Sequence, residues 1–156
     1  MDDNKKLDKL LRHINNVRQN TQTLGEKLIE SGEKTVGIQL IANGLIHDNS
    51  KFYGIEWDYL DEYHMENEPT LFKLAAKQHT TLNLHHPEAW ESIHDMSRLY
   101  ICEMICDWSA RSSEFGNSLI DWIKDKATTK YKMTVQSKTY KEIKDLVDVL
   151  LDPAFK

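Results

Sequence analysis

Long apolar runs are missing from this chain. No stretch approaches the ~20 residues that span a bilayer, so membrane insertion is not expected. Cysteine is scarce: Cys102 and Cys106 are the two thiols, four residues apart in an apolar helical run. That excludes a disulfide framework, and the spacing is not a zinc pattern. Both read as buried thiols in a reducing, cytoplasmic setting. Three prolines and six glycines mark no linker or low-complexity stretch. A basic excess is absent too: 20 Lys+Arg face 25 Asp+Glu, a net charge of -5. Extended nucleic-acid binding needs a basic face and is not expected; a local basic pocket for one phosphate remains open. Behind Met1-Asp2-Asp3-Asn4-Lys5-Lys6 there is no apolar segment, so no secretory signal is expected. Strict alternation is nearly absent, with 131–135 the single weak strand candidate.

What is present is helical periodicity. At 156 residues the chain suits one domain, 1–156, large enough to fold around its own core. Leu7, Leu10, Leu11, Ile14, Val17, Thr21, Leu24 and Leu28 form one stripe of a long first helix that Gly32 can stop. Residues 36–46 read as a buried second helix despite Gly37 and Gly44, ending at Asp48-Asn49-Ser50. A short helix is predicted over 57–63, and Thr70 can cap one that ends near His79. Pro87 suits the first position of a short helix reaching Trp90. Asp95 can cap the helix that carries Leu99, Ile101, Cys102, Ile105, Cys106 and Trp108, ended by Gly116-Asn117. Ser118 starts 119–123, Ser137 caps a last helix over about 138–151, and Pro153 closes it. The fold class is all-α, a single-domain bundle of six to eight helices.

Six of the seven histidines lie between positions 47 and 94. His47-Asp48 ends an apolar helix and offers a neutral nitrogen beside a charged oxygen, a pairing suited to a divalent ion. Taken alone, it also fits a turn Asp with a half-buried His. His94-Asp95 illustrates this, because Asp95 as a helix cap would explain it. His79, His85 and His86 fall within eight residues around a helix–loop junction and can converge on one cavity. His13 borders the apolar stripe of the first helix. Asp107 sits between Cys106 and Trp108 in an apolar helix, with Glu103 one turn earlier; a carboxylate there must be paired, metal-bound or on a wet face. His64 reads as a helix end, and Trp90 and Trp108 as core.

The order His13, His47-Asp48, His79 with His85-His86, then Asp107 resembles the HD superfamily of metal-dependent phosphohydrolases. His47-Asp48 followed by Lys51 is similar to the His-Asp-x-x-Lys of many members. The chain looks closer still to a small phage-associated HD-like family. The blocks that carry this likeness are His47-Asp48-Asn49-Ser50-Lys51-Phe52, the stretch from His79 through Asn83, His85 and His86 to Trp90, and Glu103-Met104-Ile105-Cys106-Asp107-Trp108. The resemblance implies an HD-like helical domain and hydrolysis of a small phosphorylated substrate, a nucleotide above all, by a metal-activated hydroxide attacking phosphorus. It implies one or two divalent transition-metal ions (Mn, Fe, Co, Ni or Zn). His13, His47, Asp48 and Asp107 would hold the first, and Asp48 with two of His79, His85 and His86 the second. Lys51, and more weakly Arg111, would bind a phosphate oxygen. Asn83, Glu88 and Glu103 would orient the histidines. Two other readings stay open: an HD-type di-iron oxygenase, and a non-catalytic protein that binds a nucleotide or a host protein. A phage-encoded chain would work in the host-cell cytoplasm. The sequence leaves the oligomeric state open.

Overall fold

A computed structural model describes residues 2–152. Pro153, expected to close the last helix, lies outside them. The described residues form helices, with no strand among them; 131–135 is a turn. The α segments are α1 (Asp3–Glu30), α2 (Lys34–Ile46), α3 (Gly54–Tyr59), α4 (Glu62–Asn67), α5 (Pro69–Leu82), α6 (Arg98–Phe115), α7 (Leu119–Trp122), α8 (Thr128–Lys130) and α9 (Lys138–Leu151). A π turn, Ile123–Ala127, joins α7 to α8, so the described residues make eight helical runs. Three 3-10 turns, Asn49–Phe52, Pro87–Ala89 and Ile93–Asp95, link the longer pieces. No helix among the described residues is long and apolar enough to cross a membrane.

The core lies where α1, α2, α6 and α9 meet. Val17, Leu24 and Leu28 of α1 pack with Leu40 of α2, Ile101, Ile105 and Cys106 of α6, and Ile143, Leu146 and Leu150 of α9. α1 and α2 are antiparallel neighbours joined over 31–33, and Gly32 takes the left-handed conformation (φ 99°) that ends α1. Their contact explains two glycines inside an apolar helix. A Cβ on Gly37 would come within 2.5 Å of the Gly25 carbonyl oxygen, and one on Gly44 within 1.9 Å of Thr21 Oγ1. The glycines let the two backbones meet almost directly. α9 packs on α1 and α6, as expected for 138–151.

Five expectations need correction. α2 is not a buried helix: Gly37, Leu40 and Gly44 are buried against its neighbours, while Ile38, Leu45 and Ile46 are exposed. Residues 57–63 are not one helix: α3 ends at Tyr59, and Asp61 caps α4 by accepting the His64 N–H at 2.9 Å. Lys6 of α1 holds this break by donating to the Trp57 carbonyl and to Asp61 (3.0 Å). Thr70 does not cap α5, because Pro69 occupies the first helical position and puts Glu68 at the cap. Asp95 does not cap α6 either. It ends a 3-10 turn, and Ser97 holds the cap position. Finally, helix runs on beyond 119–123 through the π turn to Lys130.

Candidate metal centre

α1, α2, α5 and α6 bring their histidines and acids to one buried point. α1 supplies His13. α2 ends at His47, and Asp48 then turns the chain in the left-handed region (φ 55°), where Asp is among the tolerated residues. This turn aims both side chains of the doublet inward; each residue is 2% exposed. α5 ends near His79, and the loop after it carries His85 and His86. On α6, Glu103, Asp107 and Glu114 share one stripe at spacings of four and seven.

Asp48 is the centre of the arrangement. Its Oδ1 lies 3.2 Å from His85 Nε2, 3.4 Å from His79 Nε2 and 3.4 Å from His47 Nε2. Its Oδ2 lies 2.8 Å from Lys51 Nζ and 3.8 Å from His13 Nε2. Asp107 Oδ1 stands 2.9 Å from His13 Nε2 and 3.8 Å from His47 Nε2. His86 Nε2 is 3.0 Å from His79 Nε2. Two groups of close donor atoms result: His13, His47 and Asp107, and Asp48, His79, His85 and His86.

The opposite nitrogens explain the orientation. His13 Nδ1 is 3.0 Å from Glu114, His79 Nδ1 3.0 Å from Glu56, and His47 and His85 Nδ1 3.0 and 3.2 Å from the same oxygen of Glu103. Each of these four rings can donate its Nδ1–H to a carboxylate and present Nε2 to the centre. That is how proteins fix the tautomer of a metal-binding histidine. His47, His85 and Glu103 also form a third close group; their atoms are engaged with one another, so they read as an orienting set. Despite the close approaches at the centre, His13 Nε2, His47 Nε2, His85 Nε2 and both Asp48 oxygens are buried without an aligned hydrogen-bond partner, as is Glu56 Oε1. Buried polar atoms left this way are costly unless something else fills the space between them. The donors are imidazole and carboxylate, buried and close together, which suits a divalent transition-metal ion.

The electrostatics agree with this arrangement. Burial favours the neutral form of Asp48, but Lys51, His47, His79 and His85 outweigh it and hold the carboxyl well below its usual range. Burial works against protonation of His85, yet the close carboxylates of Asp48 and Glu103, with Asp107 nearby, raise it to about 10. Burial raises Glu103, but the bonds from His47 and His85 prevail and bring it to about 2. His86, half-buried beside the cationic His85, falls to about 3 and is a neutral donor. Burial pushes the Cys106 thiol well above its ordinary value, so it offers no thiolate.

The seven residues expected as ligands are thus all brought together. Glu103 lies against the His47 and His85 rings; the Asn83 side-chain amide donates to the His79 carbonyl oxygen at 2.8 Å and to Ser50 Oγ at 3.3 Å, and so holds the backbone at His79 rather than its ring. Glu88 is a correction: it lies 3.6 Å from Lys130 and near the Tyr131 hydroxyl, not against an imidazole. Arg111 points to Glu114 (3.2 Å) and braces the acid behind His13. His64 stays on α4 beside Asp61. Sequence reasoning missed Glu56, Glu114 and Asn43. The spacing from Asp107 to Glu114 gave a signal for one of them. Glu56, in a six-residue helix, gave none.

The chain matches the model of the family described as "Family of unknown function (DUF5662)" over residues 2–152, and it belongs to that family. No curated protein and no solved structure matches it.

Proposed function

Because the family brings no activity with it, we propose from the site itself that this chain is a metal-dependent phosphohydrolase acting on a small phosphorylated molecule, a nucleotide above all. The observation that carries this reading is that His13, His47 and His85 Nε2 and both Asp48 oxygens are buried around one point without an aligned hydrogen bond, while carboxylates hold the opposite ring nitrogens. His13, His47 and Asp107 would hold one ion, His79, His85 and His86 a second, and Asp48 both. The resemblance to HD phosphohydrolases names the same residues in the same order.

Divalent ions at such a site lower the pKa of bound water towards 7 and neutralise charge developing on a phosphoryl group. The chain's own groups do the rest. Asp48, Asp107, Glu56, Glu103 and Glu114 outnumber Lys51, Arg111 and the protonated His85, so a bare site is negative and repels phosphate. Two divalent ions would reverse that sign; one would not. Lys51, whose side chain is 15% exposed, sits at the edge of the site and can meet a phosphate oxygen as a point charge. It also favours a hydrolase over a di-iron oxygenase, since an anionic substrate has use for it.

The test is metal analysis of the purified protein, then phosphate release from nucleoside monophosphates, triphosphates and cyclic nucleotides with Mn, Co or Mg. Bound metal with metal-dependent release supports the reading. Protein that is folded yet takes up no metal overturns it. Iron-dependent oxygen consumption without phosphate release would transfer the site to the oxygenase class.

A further inference from the structure

Of the three carboxylates behind the histidines, Glu114 serves His13 and Glu56 serves His79. Glu103 differs. Its Oε1 stands 3.0 Å from His47 Nδ1 and 3.2 Å from His85 Nδ1, joining these rings in one group with Glu103, while their other nitrogens face different groups, His13 with Asp107 and Asp48 with His79 and His86. Its Oε2 accepts the Asn43 side-chain amide at 3.1 Å, and Asn43 is held in turn by Gln39 at 2.9 Å. Glu103 is 4% exposed and comes from α6; Asn43 and Gln39 come from α2. A carboxylate oxygen has two lone pairs, and here each one is met by an imidazole.

We propose that Glu103 is a positioning residue shared by two ion sites, so that one side chain sets the binding of both. This rests on the metal-centre reading above. The rings of His47 and His85 lie 4.3 Å apart between centroids, tilted by 37°, with both Nδ1 atoms against one oxygen, so displacing that oxygen removes the support of both. Glu114 and Glu56 have no such reach, and each governs one ion. The chain therefore holds two kinds of outer carboxylate: two private ones and one common one.

Cobalt(II) is the probe, followed by calorimetric titration and by its visible absorption, with the unfolding temperature of each metal-free protein alongside. Wild type should take up two ions. Glu114→Gln and Glu56→Gln should each weaken one ion by the ~10–100-fold typical of an outer partner and leave the other unchanged. Glu103→Gln should weaken both. Asn43→Ala removes the amide from Glu103 and, with it, only the exposed Gln39 bond; it should weaken both by a smaller, equal factor, a second route if Glu103→Gln does not fold. Loss of one ion in Glu103→Gln or Asn43→Ala, with the other retained, overturns the sharing. Loss of both in Glu114→Gln as well, in step with a fall in metal-free stability, assigns Glu103 to the scaffold and overturns it too. Wild type binding no cobalt removes the metal centre itself, which is a different failure.

Discussion

His47-Asp48 and His94-Asp95 are the same dipeptide in two settings. The first ends a helix packed on α1, turns through a left-handed Asp, and buries both side chains among three further histidines. The second lies in an exposed 3-10 turn, where His94 Nδ1 meets the Thr139 hydroxyl at 2.7 Å and Asp95 faces solvent. The difference is one of surroundings. A charged carboxylate stays buried only where cations or hydrogen bonds compensate it. Asp48 has Lys51, His79 and His85 for this; Asp95 needs nothing. A dipeptide motif acquires chemical meaning from what the fold brings to it.

The strongest way to break this comparison is Asp48→Asn. It should abolish metal uptake and activity, a larger effect than the ~10–100-fold of losing an outer carboxylate; elemental analysis and phosphate release check it. Proton uptake sharpens the comparison from the other side. His85 is raised to about 10 when no ion is present, so the folded metal-free protein keeps a proton that the unfolded chain loses near 6.5. That group's contribution to metal-free stability is complete below about 6.5 and is lost as pH rises through about 10. Ion binding must displace this proton. Calorimetry at pH 8 in buffers of different ionisation enthalpy should therefore show proton release, and affinity should climb with pH.

Lys51→Ala should retain metal and lower kcat/KM by about 10–100-fold, since a charged contact to phosphate is worth roughly 1.5–3 kcal/mol. An unchanged kcat/KM would leave Lys51 as Asp48's counter-ion alone. Gly44→Ala attacks the first doublet without touching it. The new Cβ meets Thr21 Oγ1 at 1.9 Å and must push α2 from α1, at a cost of about 1–3 kcal/mol in thermal or urea unfolding. Thr21→Ala in the same chain should restore part of that loss. Smallest is the second doublet: Asp95→Asn and Asp95→Ala should both keep metal and activity, with stability changed by less than about 0.5 kcal/mol.

Much of this was legible in the sequence, for identifiable reasons. The stripes of α1 and α9 repeat at three and four residues, and those helices lie where periodicity puts them. The histidines and Asp107 stood out because imidazole clusters and a carboxylate in an apolar helix are unusual. What escaped notice depended on partners far away in sequence. Glu56 looks like any acid on a short surface helix until His79, from α5, arrives beside it. Gly37 and Gly44 read as flaws in α2 until α1 is laid against them. Asp95 misled because a local rule, Asp before a helix, applies at many positions and the chain used Ser97 instead.

The close seam between α1 and α2 also bears on the order of assembly. Helices joined by three residues close a small loop, and small loops lose little chain entropy. Contacts that are local in sequence form quickly during folding. This hairpin carries His13, His47 and Asp48, whereas Asp107, Glu103 and Glu114 must wait until α6 docks across it. Three of the seven proposed ligands would thus stand together before the other four, from α5, its loop and α6, are in place. In stopped-flow refolding with cobalt present, the cobalt absorption should follow α6 docking and lag the early rise in helicity.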